Sequence, residues 1–280
     1  MGANIKAIRA RMKSVDTTRH ITKAMELVAS SKIKRAGEKM EQSRFYRRTM
    51  MEAMASLASE DTVYSRLPSR DLPTLYCIVA GDRGLAGGYN NNIFRSAKAT
   101  LREGDVVLPI GKRAVDAYTD RPGIRMLSDE FVSSEHFSTE EAAKIASLAT
   151  DLYRRGEIGS VRIIATRFVS MLSQQTEMTV LLPLQNVEEM GETTEFSAAV
   201  EFEPSPEEVL AALIPQYMAG VLYSAVMEAF ASELAARRSA MDTATKNADE
   251  MLGELNLNYN RARQGAITQE ITEIVAGANA

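Results

Sequence analysis

Tryptophan is absent from the 280 residues, and aromatic side chains make up only 6% of them. A core must therefore come from aliphatic residues, alanine and the 15 methionines, which suits helix packing better than a β-sandwich. Cysteine occurs once, at Cys77, so no internal disulfide can form; the residue sits in the apolar run Thr74–Ala80 and reads as a small buried side chain. Histidine occurs only at His20 and His136, neither beside a plausible triad or zinc-ligand set. The carboxylate pairs Glu140–Glu141 and Glu188–Glu189 are adjacent in sequence, so they do not face one another on a helix and read as solvated. No stretch approaches the roughly 18 apolar residues that would span a bilayer. The start, Met1–Arg11, lacks the apolar core of a secretory signal; it is Arg-rich like a transit peptide, yet the helical pattern continues past residue 30 without a cleavage-like break.

Proline is missing from both ends. All eight lie between residues 68 and 215. Because proline inside a helix costs about 3 kcal/mol, two long proline-free flanks around a proline-punctuated middle predict two long helices around a compact domain. The first is expected from Asn4 to Leu57, with a narrow stripe at Ile5, Ile8, Met12 and Val15, then Ile21, Met25 and Val28, then Ile33, Ala36 and Met40, then Met50, Met54 and Leu57. The breaks in spacing read as slips, and Gly37 as a weak point. The second is expected from Pro206 to Ala276, capped by Ser205, with Pro215 an early kink site. Its far end carries a regular seam at Ala248, Leu252, Leu255, Tyr259, Ala262 and Ala266. A seam this long needs a partner helix, and the simplest is the N-terminal one, returning antiparallel.

The middle alternates in type. Strands are expected at Leu75–Ala80, Asp105–Ile110, Val161–Val169 and Thr176–Leu182, with another at Phe196–Phe202. Helices are expected at Asn90–Leu101, Lys112–Tyr118 and Thr139–Arg155, the last opened by the capping box Ser138/Glu141. The fold class is therefore α/β: a long antiparallel two-helix coiled coil formed by both termini, plus a central α/β (Rossmann-like) domain with a mostly parallel sheet. The expected domains are 1–60, 70–204 and 206–280.

Charge is unevenly spread. Residues 1 to 50 carry 13 Lys/Arg against 4 Asp/Glu, although the whole chain has a net charge of -4. The basic end suits an acidic partner or a solvated helix face. Nucleic acid is a poor fit, because the basic residues interleave with the apolar stripe instead of forming a block. The glycine-rich stretch Gly81–Asn90 follows a strand and precedes a helix, as a dinucleotide loop would. Its spacing is not G-x-G-x-x-G, and no P-loop Lys-Ser/Thr follows, so a structural turn is the better reading. No cofactor and no metal site are expected. Two other classes stay open on these residues: a free-standing coiled-coil scaffold, and a cofactor-dependent enzyme built on the glycine turn.

Three separated motifs carry a resemblance. Ile21-Thr-Lys-Ala-Met-Glu-Leu-Val-Ala-Ser-Ser-Lys32 resembles the N-terminal helix of F-type ATP synthase gamma subunits. Gly81–Asn90 resembles that family's central-domain turn, with Ala86 where many members have cysteine. Asn258–Ala278 is similar to the family's C-terminal signature, matching at Ile267, Thr268, Glu270, Glu273, Gly277 and Ala278. The resemblance covers essentially the whole chain. It implies a non-catalytic rotor shaft that turns inside a ring of alternating alpha and beta subunits, with the epsilon subunit and the membrane c-ring below, at the cytoplasmic face of a bacterial cell membrane. It also implies stator contacts. Met25 is placed near an acidic helix–turn–helix of beta, Lys23 and Lys32 face its carboxylates, and Arg263 and Gln264 meet a catch loop supported by Thr268 and Glu270. The small apolar tip Ile274–Ala280 is placed in an apolar sleeve.

Overall fold

The computed structural model describes residues 2–57, 64, 72–128, 132–184, 203 and 205–278. The elements are α1 (Gly2–Leu57), β1 (Thr74–Val79), α2 (Tyr89–Thr100), β2 (Val106–Ile110), α3 (Lys112–Tyr118), β3 (Arg125–Met126), α4 (Thr139–Arg154), β4 (Ser160–Phe168), β5 (Gln174–Leu182) and α5 (Pro206–Ala278). The terminal helices are 56 and 73 residues long. At 1.5 Å per residue they run about 80 and about 110 Å. The expected strand at Phe196–Phe202 lies outside the described residues.

The chain divides into two compact units: Met1–Ser30 with Arg237–Ala280, and Ser31–Ala236. In the first, the start of α1 and the end of α5 lie antiparallel. Arg9 Nη2 donates to Tyr259 Oη at 2.6 Å, Arg19 Nη1 to Asp249 Oδ1 at 3.3 Å, and the hydroxyls of Thr22 and Thr245 meet at 2.8 Å. The residue numbers of each pair add to 267 or 268, so the register is constant. It brings Gly2 level with Ala266. The half-buried seam positions of α5 are those the spacing predicts, with Ala248 buried and Leu252, Leu255, Tyr259, Ala262 and Ala266 sheltered. Beyond Ala266 no opposing residue remains on α1, and every residue from Ile267 to Gly277 is exposed.

The stripe on α1 differs from the expected one. Ile21 and Val28 are more than half exposed, at 55% and 56%. A continuous line of sheltered positions runs through Ile5, Ile8, Met12, Val15, Arg19, Thr22, Glu26 and Ala29 in this unit, and through Ile33, Ala36, Met40, Ser43, Arg47, Met50 and Met54 in the other, with further half-buried residues such as Met25 beside it. The steps alternate three and four throughout, so the heptad does not slip. Polar side chains hold seam positions because they bond across the pair: Arg19 to Asp249 and Thr22 to Thr245.

In the second unit a five-stranded sheet has the order β3-β2-β1-β4-β5. The first four strands in that order run parallel and β5 pairs antiparallel with β4. Both faces of β1 and β2 are covered, so these strands are continuously apolar. Alternate side chains supply two cores. Leu75, Cys77 and Val79 pack against α4 and α5, whereas Tyr76 and Ile78 pack against α2 and α3. The capping box of α4 forms as expected: Glu141 N donates to Ser138 Oγ at 3.1 Å, and Ser138 N donates to Glu141 Oε2 at 2.7 Å. β3 was not expected from the sequence; with two residues it has no periodicity to read.

One expectation about hydropathy is overturned. Helix α5 contains an 18-residue window with mean hydropathy 1.6, apolar and long enough to cross a membrane by those criteria alone. Half of that window is buried within the protein. Leu210, Ile214, Tyr217, Met218, Val221, Leu222, Val226 and Met227 are all buried in the main core. Packing against the main core accounts for the apolar residues of the buried half.

Candidate interaction surface

The glycine turn is the first place to look for chemistry, and its geometry is that of a joint. Gly81 N donates to Asn90 Oδ1 at 2.9 Å, and Arg113 N donates to Gly81 O at 3.0 Å. Asp82 organises the neighbouring loops: its carboxylate accepts from Lys112 N, Ser133 Oγ, Ser134 N and Glu135 N at 2.7 to 3.3 Å. Tyr89 Oη donates to the Ala229 carbonyl of α5 at 3.0 Å. A Cβ on Gly81 would fall 2.7 Å from Glu233 Cδ, and Glu233 is 3% exposed. The space that a phosphate would need beside this loop thus holds a buried carboxylate, which repels anions. The turn locks the sheet to α5.

The other polar candidates are dispersed. His20 is exposed, 3.7 Å from Asp16, and His136 is exposed in the loop before α4. Cys77 is fully buried, and burial pushes its thiol up to about 12. A thiol so held is inert as a nucleophile at neutral pH. Among the described residues no group of three or more His, Cys, Asp or Glu side chains is placed to hold a metal ion.

What remains is helix surface. On α1, Lys23 is exposed and its ammonium pairs with Glu26 Oε2 at 2.8 Å. Met25 is half-buried beside the seam. Around them the exposed side chains are apolar: Ile21, Leu27 and Val28. Sequence spacing assigned Ile21 and Val28 to the seam and so missed this outward apolar face. Continuing the step pattern of Ile8, Met12 and Val15 into Arg19 and Thr22 would have revealed it. Lys32 is half-buried and paired with Glu135 of the loop before α4. Its charge is therefore committed within the chain. Near the end of α5, Arg263, Gln264, Thr268 and Glu270 are all exposed, the first two beside the start of α1 and the last two beyond it. Thr268 Oγ1 donates back to the Gln264 carbonyl at 2.9 Å, and neither Arg263 nor Glu270 makes an ion pair among the described residues. Lys246 beside Asp242, 2.7 Å away, holds that carboxyl below its ordinary value and is itself held above its own.

Comparison with known proteins assigns this architecture. The family model described as ATP synthase matches residues 4–280. The ATP synthase gamma chain of Ruminococcus albus is 40% identical, over 97% of this chain and 96% of its own length. That of Alkaliphilus metalliredigens is 39% identical over 100% of this chain and 99% of its own. The chain belongs to the gamma-chain family of F-type ATP synthases. Its members are central-stalk subunits. Among solved structures, a chain from the Tetrahymena thermophila mitochondrial ATP synthase central stalk and c-ring superposes with a TM-score of 0.62 at 25% identity, covering 80% of this chain and 99% of that one. A chain from the Euglena gracilis mitochondrial ATP synthase superposes over 100% of this chain and 95% of that one, with a TM-score of 0.72 at 18% identity, a likeness of fold.

Proposed function

We propose that this chain is the rotating shaft of an F-type ATP synthase and makes and breaks no bonds itself. In this reading the shaft stands in a ring of alternating alpha and beta subunits. It divides into an N-terminal helix (1–60), a central domain (70–204) and a C-terminal helix (206–280), and its foot meets an epsilon subunit and the membrane c-ring. The complex sits on the cytoplasmic face of a bacterial membrane. Proton flow turns the ring and the shaft with it, and nucleotide chemistry occurs in the beta subunits. The likeness to chains of an F1/c-ring assembly and of a central stalk with its c-ring supports these partners.

The observation that carries the reading is the seam. Two helices held in one register by interlocking side chains and cross-pair hydrogen bonds resist bending and twisting better than one helix. A pair of unlike helices also has no threefold symmetry. It therefore offers each of three equivalent stator sites a different surface, and only differential contact free energy biases such sites toward different states. The face with Lys23 and Met25 suits an acidic stator element that also has apolar side chains to cover Ile21, Leu27 and Val28. Arg263 and Gln264, with Thr268 and Glu270 beside them, suit a polar loop of the stator. Lys32 contributes through its pairing with Glu135, which ties α1 to the central domain.

A native mass measurement on membranes expressing the chain tests this. The chain is expected in a complex of several hundred kilodaltons with alpha and beta subunits, and the purified chain alone is expected to hydrolyse no ATP. A homodimer of the chain, or ATP hydrolysis by the isolated chain, would overturn the proposal.

A further inference from the structure

Within the unit Ser31–Ala236, a cavity of about 470 Å³ opens between α1, α4 and α5. Its volume falls in the range of small-molecule sites. Small residues create it: Ala142 and Ala143 of α4 face Ala219 and Gly220 of α5. Two tyrosines form its walls. Tyr46 lies directly on Gly220, its Cε1 2.5 Å from where a Cβ would stand. Tyr223 is backed by Phe137, with ring centroids 6.4 Å apart and 22° between planes. Both walls are thus fixed by their neighbours. No Asp or Glu lines the cavity; its one charged lining residue is Lys39, exposed and without an ion pair among the described residues.

We infer that this cavity is a binding site for a small amphiphilic anion, a flat apolar body carrying one acidic group. The body would lie against the tyrosine rings, where offset stacking is favourable, and the acid would meet Lys39. A neutral apolar ligand would leave the lone ammonium unused, and a cationic one would be repelled by it. The inference is independent of the coupling role, since it rests on the geometry of three helices in one unit. Because all three helices line the site, a bound ligand would tie α4 to the helix pair.

The test uses the full-length chain and two fluorescent probes of one shape: 1-anilinonaphthalene-8-sulfonate, which is anionic, and N-phenyl-1-naphthylamine, which is neutral. The anionic probe is expected to bind saturably at one site per chain. Lys39→Gln should weaken it about threefold to fivefold, the scale of an exposed ion pair, and leave the neutral probe within twofold. Ala143→Leu, at the exposed rim, should weaken both probes at least tenfold, and Ala219→Leu should do the same from the opposite wall. Circular dichroism confirms that the variants fold. Unsaturable fluorescence would overturn the inference. So would binding within twofold of the parent in both leucine variants, or equal weakening of both probes by Lys39→Gln.

Discussion

Replacing Gly81 by alanine isolates what the glycine turn does. The backbone at Gly81 is pinned on both sides, through its N–H to Asn90 and its carbonyl to Arg113 N. The new Cβ would lie 2.7 Å from Cδ and 2.8 Å from Oε1 of Glu233, and it is Glu233 that must move. That carboxylate is 3% exposed and cannot swing into solvent without opening the joint between the sheet and α5. Overpacking of this kind costs about 1–3 kcal/mol. Pulling a buried charged group off its partners costs about 1–3 kcal/mol more. A total of about 2–6 kcal/mol is expected, read as a lower urea midpoint with an unchanged slope. The double variant with Glu233→Ala removes the clashing group, so the two losses should fall short of adding by more than about 1 kcal/mol. A loss below about 0.5 kcal/mol, or strict additivity, would refute the claim that this loop is a structural joint.

Three further outcomes follow from the geometry. Glu228→Ala should destabilise the central unit by about 2–3 kcal/mol in urea unfolding, because Arg44 and Arg47 would lose their shared buried carboxylate while Arg44 keeps Glu41 and the Phe168 carbonyl. Burial raises Cys77 and Tyr217 to about 12, from 9.0 and 10.0, with Arg47 partly opposing the shift at Tyr217. The folded state then holds protons that the unfolded state releases, so their stabilising effect is complete below about pH 9 and is lost as pH rises toward 12; denaturant midpoints should fall across that window, and Cys77 should resist a thiol reagent at pH 8 until the chain unfolds. Truncation after Ala266 removes the exposed residues Ile267–Gly277 and the three that follow, so the unfolding free energy in urea should change by less than about 0.5 kcal/mol while turnover in the assembled complex is altered.

Local signals were legible wherever the cause was local. Proline absence marked both long helices, and the Ser138/Glu141 spacing located the start of α4, because a capping box is complete within four residues. The seam of α5 could be read residue by residue from its spacing. The seam of α1 was misread between residues 19 and 29, because apolarity was followed in preference to register; Arg19 and Thr22 are sheltered through partners more than 220 positions away. Distance in sequence also hid the pairing of Lys32 with Glu135 and the approach of Glu233 to Gly81. Those contacts pair Lys32 with the loop before α4 and set a carboxylate against the glycine turn. The apolar run of α5 was underestimated because Pro215 and Gln216 interrupt it to the eye, although the average over the window stays high.

The constant register of the helix pair is most directly tested by cysteine pairing in the assembled complex. Thr22 and Thr245 touch through hydroxyls 2.8 Å apart, so cysteines at these positions have sulfurs within bonding reach, and the buried Cys77 does not compete. Thr22→Cys with Thr245→Cys should form a disulfide under mild oxidation, and ATP turnover should be the same before and after reduction, since both helices turn as one body. Thr22→Cys with Leu252→Cys, displaced by about 10 Å along the helix, should stay reduced. Failure of the first pair to close, closure of the second, or turnover that stops on oxidation and returns on reduction would contradict the account.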